Sequence, residues 1–424
     1  MIDVRAHLAR KPLLFDGGMG TYYKAKPGTE CEQGNLLDPA GVRKVHREYL
    51  AAGAEAIKTN TFGLPRMAAA RQPDWQALAR AGWKLAAEAA VETGAAVFAD
   101  LGPAPDTEAA PAGSIYTAVA RCFVEQGAKN FLFETLSSDA GVLEAVQAVK
   151  AQVPDAFVLV SFAVLPDGYT REGMYSKDLV RRMTESGIVD AVGFNCVSAP
   201  GAMRTLVQQL GSTALPLSVM PNAGYPVVTR TQVKYQGKPE YFAKELARIA
   251  AEGVRLLGGC CGTTPAHIAA LRAALDSLPA VEKAAPAVQV STPEAPTVEK
   301  DDAFLRKLNA GKKVIAIELD SPKDADLTNY LAGAKRLQAA GADLLTIADC
   351  PIARARMDSS LVACRVHREL GLCTLPHMTC RDRNLNATKA LLLGLYAEGV
   401  REVLAITGDP IPTAERDEVK NVYQ

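Results

Sequence analysis

The sequence predicts an α/β chain made of one complete (β/α)8 TIM barrel, a linker, and a partial second barrel of four strands. Three observations predict it. A phrase recurs in which an amphipathic helix ends in a small residue plus Gly and a short apolar run follows. Eight apolar runs precede residue 279, and the helix–Gly–strand phrase resumes after residue 302. The stretch between them has no usable hydrophobic period.

The phrase stands out in YLAAGAEAIKTN (49–60), FVEQGAKNFLFET (123–135), MTESGIVDAVGFNC (183–196) and IAAEGVRLLGGCC (249–261). Gly just past a helix end accepts the left-handed conformation that turns the chain into a strand. Strands alternating with helices indicate βαβ units and a parallel sheet. The eight runs fall near 12–15, 55–59, 95–101, 130–134, 157–162, 190–195, 215–220 and 254–258. Eight units within residues 1–278 suit a (β/α)8 barrel, which typically takes about 250 residues. An open doubly wound sheet is the alternative.

Residues 279–302, PAVEKAAPAVQVSTPEAPTVEKDD, are rich in Pro, Ala, Val, Glu and Lys and hold no aromatic residue. That composition predicts an extended, mobile linker. Beyond it, VIAIELD (314–320), LQAAGADLLTIAD (337–349), HRELGLCTLPHMTC (367–380) and YAEGVREVLAITGD (396–409) supply four further strands, in a domain spanning 303–424.

Composition narrows the class. The 47 Lys and Arg balance the 47 Asp and Glu, which gives no electrostatic reason to expect nucleic acid or an anionic membrane as partner. No apolar run reaches the roughly 18 residues of a membrane span. The opening MIDVRAHLARKPLLFDGG lacks the parts of a signal peptide, so the expectation is a soluble cytoplasmic protein. Nine scattered cysteines fit metal binding or catalysis better than a disulfide framework.

A barrel carries its active site at the C-terminal strand ends, so those ends test the fold. They read Asp16-Gly17-Gly18, Thr59-Asn60, Glu134-Thr135, Asn195-Cys196, Pro221-Asn222 and Cys260-Cys261. Polar and metal-binding groups from distant parts of the chain thus converge on one rim. Cys196, Cys260 and Cys261 are the only three cysteines expected there. Three thiolates suit Zn2+, and three protein ligands leave a fourth position open, the mark of a catalytic site. The alternative makes the adjacent pair core residues or a vicinal disulfide. An open zinc position binds another thiol as its thiolate, and zinc has no redox chemistry, so group transfer to sulfur is the expected reaction. Asp16 and Glu134 are candidates to hold the ammonium of an amino-acid thiol, with Thr59, Asn60 and backbone N–H groups near Gly17 and Gly18 orienting it.

FDGGMGT (15–21), TNTFG (59–63), GFNC (193–196) and GGCCGT (258–263) resemble the zinc-dependent homocysteine S-methyltransferases over residues 10–278. The resemblance implies that homocysteine is the thiol, that Cys196, Cys260 and Cys261 hold zinc, that Asp16, Gly17, Thr59, Asn60, Glu134 and Asn195 form the substrate site, and that methionine is the product. It implies a small methyl donor: S-methylmethionine, S-adenosylmethionine, betaine or a methyl-folate. Cobalamin-carried methyl groups also serve this family, but the sequence shows no cobalamin-binding module. A homo-oligomer stays open. Rival expectations are a non-catalytic zinc or thiol binder, and transfer to another thiol or a selenol.

VIAIELDSP (314–322), LPHMTCRDRN (375–384) and AITGDP (405–410) resemble the start of methylenetetrahydrofolate reductase, a flavin-bearing barrel. That resemblance implies Glu318 as the acid that protonates the folate, Asp409 near flavin and folate, and His377 and Thr407 among the flavin contacts. It covers about half a barrel, so FAD and reductase activity are expected only where the second barrel is completed.

Overall fold

Eight parallel strands close into a ring in the first part of the computed structural model, which describes residues 2–26, 28–224, 226–228, 233–235, 237–277, 303–379 and 383–409. The expected linker, 279–302, lies outside the described residues. The chain divides into two units, Met1–Val290 and Ser291–Gln424, and the division falls within that stretch.

In the first unit the strands are β1 (Leu13–Leu14), β2 (Ala56–Lys58), β3 (Ala96–Leu101), β4 (Asn130–Leu136), β5 (Phe157–Phe162), β6 (Ala191–Asn195), β7 (Leu217–Met220) and β8 (Leu256–Leu257). Neighbours pair in parallel from β2 round to β8 and on to β1, and a single parallel bridge, Phe15 to Ala56, closes the ring between β1 and β2. All eight strands coincide with the apolar runs. A hairpin, Pro226–Val228 with Val233–Tyr235, follows β7 and was not expected from the sequence.

Strand side chains alternate between faces, and here both faces are covered. Leu14, Ile57, Val97, Phe131, Val158, Val192 and Val219 pack outward against the helices. Leu13, Phe15, Ala56, Phe98, Leu132, Leu159, Met220 and Leu256 pack inward, joined by Val4 and Leu8 of the helix Val4–Leu8. That short helix sits at the N-terminal end of the ring. Its Arg5 donates to the carbonyls of Asp155 and Ala156, just before β5, and pairs with Asp190, just before β6. The interior is therefore closed below, and its charged groups gather in the upper layer. Among the described residues no helix is long and apolar enough to cross a membrane.

The second unit holds β9 (Ala316–Glu318), β10 (Leu344–Ile347), β11 (Cys373–Thr379) and β12 (Leu404–Ile406), parallel and in sequential order. The helices Thr328–Ala339 and Ser359–Leu370 pack on it through Tyr330, Ala334, Val362 and Val366, against Leu345 and Ile347. Ile315, Leu404 and Ile406 remain 39–45% exposed.

Candidate functional site

The site grows from strand alternation. Counting inward from Ala56, Phe98 and Leu132, the next inward positions are Lys58, Asp100 and Glu134. All three are buried, as is Asp16 after β1. Three carboxyls and one ammonium therefore share the top layer of the barrel. The Lys58 ammonium lies 3.5 Å from Glu134 Oε2 and 3.5 Å from the carbonyl of Gly259, while the Lys58 backbone N–H donates to Asp16 Oδ2 at 3.0 Å. Burial pushes the carboxyls of Asp16 and Glu134 up to about 7, against the pull of Lys58, and drives Asp100 well above the carboxylate range. Burial opposes charge on Lys58 too, but Glu134 and Asp16 outweigh it and hold the ammonium protonated. Asp16 Oδ1 and Asp100 Oδ1 are buried with no hydrogen-bond partner among the described residues.

Above this layer stand the thiols. The sulfurs of Cys196, Cys260 and Cys261 lie within 4.8 Å of one another, with Cys196 and Cys261 3.8 Å apart. Cys196 has φ +58, and Thr135 at the end of β4 has φ +60, a region that non-Gly residues seldom occupy and that gathers at functional sites. Contact among the thiols splits their acidities. Bonds from Cys196 and Cys260 lower Cys261 to about 3, whereas Cys196, bonded to both and half-buried, is held far above the thiol range.

Glycines let the loops meet. A Cβ on Gly17 would stand 2.6 Å from Thr263 Oγ1, and one on Gly259 would stand 2.4 Å from the same atom. Thr263 Oγ1 accepts from Gly18 N–H and donates to the Cys260 carbonyl, tying the first strand end to the last.

A cavity of about 270 Å³ opens over most of this group, lined by Gly18, Met19, Thr21, Cys31, Glu32, Lys58, Thr59, Asn60, Phe62, Asp100, Glu134, Cys196, Cys260 and Cys261, among others; Asp16, Gly17 and Asn195 lie behind its lining. Two expectations need correction. Cys31 is a fourth cysteine on this cavity, brought there by its thiol's bond to Asn60 Oδ1 at 3.1 Å. The Gly18 N–H is occupied by Thr263 Oγ1 at 3.0 Å and is not free for a ligand. Asn60 is also tied to the scaffold, donating to the carbonyl of Cys31 and to Asn35 Oδ1. Thr59 Oγ1 accepts from the Asp100 N–H. Asn195 is a brace: its Oδ1 accepts from Thr135 N–H and Ser161 Oγ, and its Nδ2 reaches Thr135 Oγ1 and Glu134 Oε2. Sequence reading missed Lys58, Asp100 and Cys31; the alternation of AIK and AVFADL carried the signal for the first two.

In the second unit Glu318 Oε2 on β9 and His377 Nε2 on β11 are 3.9 Å apart across the intervening β10, with Glu318 exposed and His377 buried. Asp409 accepts from the Ile352 N–H at 2.6 Å, and Thr407 is exposed.

A closed parallel barrel bearing a thiol triad and a buried acid cluster at its C-terminal rim defines a class of metal-fit thiol sites on the TIM architecture. Residues 13–275 match the family model of homocysteine S-methyltransferase, and the chain belongs to that family. Residues 303–424 match the model of methylenetetrahydrofolate reductase. The homocysteine S-methyltransferase of Escherichia coli is 30% identical over 296 residues, covering 62% of this chain and 94% of that protein. The methionine synthase of Mycobacterium tuberculosis is 30% identical over 312 residues, covering 67% of this chain; the chain spans 26% of that longer relative. The solved metallated form of the homocysteine methyltransferase MmuM from E. coli superposes with a TM-score of 0.52 at 25% identity, over 64% of this chain and 99% of that one.

Proposed function

We propose that the first unit, residues 1–278, transfers a methyl group from a small donor to the thiol of homocysteine, giving methionine, with Zn2+ held by Cys196, Cys260 and Cys261. The observation that carries this reading is the sulfur triangle on the barrel rim of a chain in this family.

The donor set fits the metal. Tetrahedral zinc with Zn–S bonds of about 2.3 Å places its sulfurs about 3.8 Å apart, and the Cys196–Cys261 separation is 3.8 Å. A divalent cation also supplies the charge that three clustered thiolates require. Bound there, zinc offers a fourth position that takes a thiol as its thiolate.

The chain's own residues do the rest. Asn195 Nδ2 lies 3.3 Å from Glu134 Oε2 and 4.0 Å from Cys260 Sγ, so a carboxylate and a sulfur ligand flank one amide. That spacing suits a thiol and an α-amino group separated by three carbons, as in homocysteine. Glu134 and the unpartnered Oδ1 of Asp16 receive the ammonium. Gly17 lets the end of β1 pack against Thr263 and Tyr49, Thr59 holds Asp100 in place, and Asn60 fixes the segment that carries Cys31 to the cavity. The donor enters from the side of Met19, Cys31 and Phe62. S-methylmethionine, S-adenosylmethionine, betaine and methyl-folates are the candidates.

For the second unit, 303–424, we propose a reductase-like site in which Glu318 and Asp409 face the folate and His377 and Thr407 contact flavin once a full ring is present, FAD being the cofactor of that completed form.

The deciding experiment incubates zinc-loaded protein with homocysteine and each donor and follows methionine. Formation with one donor supports the reading. Binding of zinc and homocysteine without turnover on any donor overturns it in favour of a thiol-binding protein.

A further inference from the structure

Among the described residues Lys58 is the one ammonium in the acid cluster beneath the cavity. Its side chain is 6% exposed, and strand alternation places it inside the ring rather than among the helices. Four elements aim acidic groups at it: Asp16 after β1, Asp100 on β3, Glu134 on β4 and Cys260 after β8; Tyr49 lies near as well. Its two contacts, to Glu134 Oε2 and the Gly259 carbonyl, are both 3.5 Å, longer than a charge-assisted hydrogen bond of about 2.7–2.9 Å. Lys58 is thus not locked into a tight pair. It sits as a diffuse counter-charge to the whole cluster, leaving carboxylate oxygens such as Asp16 Oδ1 unpartnered.

A buried carboxyl with no cation nearby takes up a proton and becomes neutral. A neutral carboxyl does not attract an ammonium. We infer that Lys58 is a positioning residue that keeps Glu134 ionised and turned toward the cavity, so that the pocket selects thiols carrying an α-ammonium group. It acts through Glu134 and touches no reacting atom. The inference rests on the methyl-transfer reading, since it names how that site chooses its acceptor.

Three thiols test it: homocysteine, 3-aminopropanethiol, which lacks the carboxylate, and 4-mercaptobutyrate, which lacks the ammonium. Binding to zinc-loaded protein is measured by calorimetry without donor, and methyl transfer is measured with whichever donor supports turnover. Wild-type protein should prefer the two ammonium thiols over 4-mercaptobutyrate by about 10- to 150-fold, the worth of one charge-assisted bond. Lys58→Met should lose most of that preference at neutral pH, with KM rising for the ammonium thiols and little change for 4-mercaptobutyrate; Lys58→Arg should restore it. Lys58→Gln, which keeps a donor for the Gly259 carbonyl, serves if the Met variant does not fold. Equal weakening of all three thiols would make Lys58 merely structural and overturn the inference. Selective loss of the two carboxylate-bearing thiols would make it a carboxylate anchor and overturn it equally. If wild-type protein makes no methionine at all, the methyl-transfer reading falls first, and the calorimetric preference still judges Lys58.

Discussion

Gly18 backs directly onto Cys260: a Cβ on Gly18 would stand 2.5 Å from the Cys260 carbonyl oxygen. The first strand end and the last are pressed together at the point where the thiol pair begins. Gly18 has φ −75, a conformation open to any residue, so the demand for glycine here is one of space alone.

Gly18→Ala should therefore leave the barrel folded but push the Cys260–Cys261 loop off its position, at a cost of about 1–3 kcal/mol for overpacking. Zinc content and methyl transfer should fall together while the far-ultraviolet circular dichroism is unchanged. Full zinc occupancy in this variant would show that the loop has slack.

Alanine at Cys196, Cys260 or Cys261 should strip the metal and abolish turnover, each as severely as the others. Metal analysis of the purified variants checks this. A Cys261→Ala protein that retained a full complement of zinc would remove that residue from the ligand set. The Cys31→Ala variant, whose thiol is held by Asn60, should keep its zinc.

Asp16→Asn and Glu134→Gln should weaken homocysteine about 10- to 150-fold and leave zinc in place. Burial raises both carboxyls to about 7, so they are neutral below that pH and charged above it. Homocysteine affinity in the wild type should accordingly fall as pH drops through 7, and that dependence should be blunted in Glu134→Gln. Calorimetric titrations at pH 6 and pH 8 decide it; equal affinity at both would exclude an ionised carboxylate from recognition.

His46 is fully buried, and neither ring nitrogen has a hydrogen-bond partner among the described residues. Burial lowers its pKa from 6.5 to about 4. The unfolded chain takes up a proton below 6.5 and the folded one only below about 4. The neutral ring's contribution is therefore intact above 6.5 and drains away as pH falls toward 4, by up to about 3 kcal/mol. Stability of wild type minus that of His46→Leu, from denaturant unfolding across this range, should rise with pH. A flat difference would place a proton partner on the ring.

Residues 303–424 as they stand should neither hold flavin tightly nor reduce methylenetetrahydrofolate, because the four strands among the described residues leave Ile315, Leu404 and Ile406 exposed. Cleavage by a protease within 279–302, the expected linker, should release a first unit with an unchanged methyl-transfer rate. A yellow preparation with NADH-dependent folate reduction would overturn the first statement.

Much of this was legible in the sequence. Eight apolar runs marked the barrel strands, and the helix–Gly–strand phrase announced β2, β4, β6 and β8, where Gly53, Gly127, Gly187 and Gly253 take the left-handed turns it requires. The strand ends marked Asp16, Glu134, Asn195 and the cysteines because a barrel rim collects chemistry from distant segments. Lys58 escaped because a lysine between Ile57 and Thr59 looks like the solvent end of an apolar run; only the parity from Ala56 turns it inward. Cys31 opens the short 3-10 helix Cys31–Gln33, whose place is set by Asn60, 29 positions away, and a single turn carries no period to read. The left-handed backbone of Thr135 and Cys196 had no glycine to announce it.

Among the described residues β1 and β2 meet at one bridge, Phe15 to Ala56, through the Glu55 N–H to the Leu14 carbonyl and the Asp16 N–H to the Ala56 carbonyl. Asp16 stands directly above that joint, where its carboxylate grips the Lys58 N–H across the gap, and the thiols follow β6 and β8. An amino-acid thiol held at both ends would brace the ring across its thinnest seam, as a keystone does an arch. Filling the site and shutting the barrel are then a single equilibrium seen from two sides: the already bonded amide hydrogens of Asp16 and Lys58 would exchange more slowly still with the acceptor aboard.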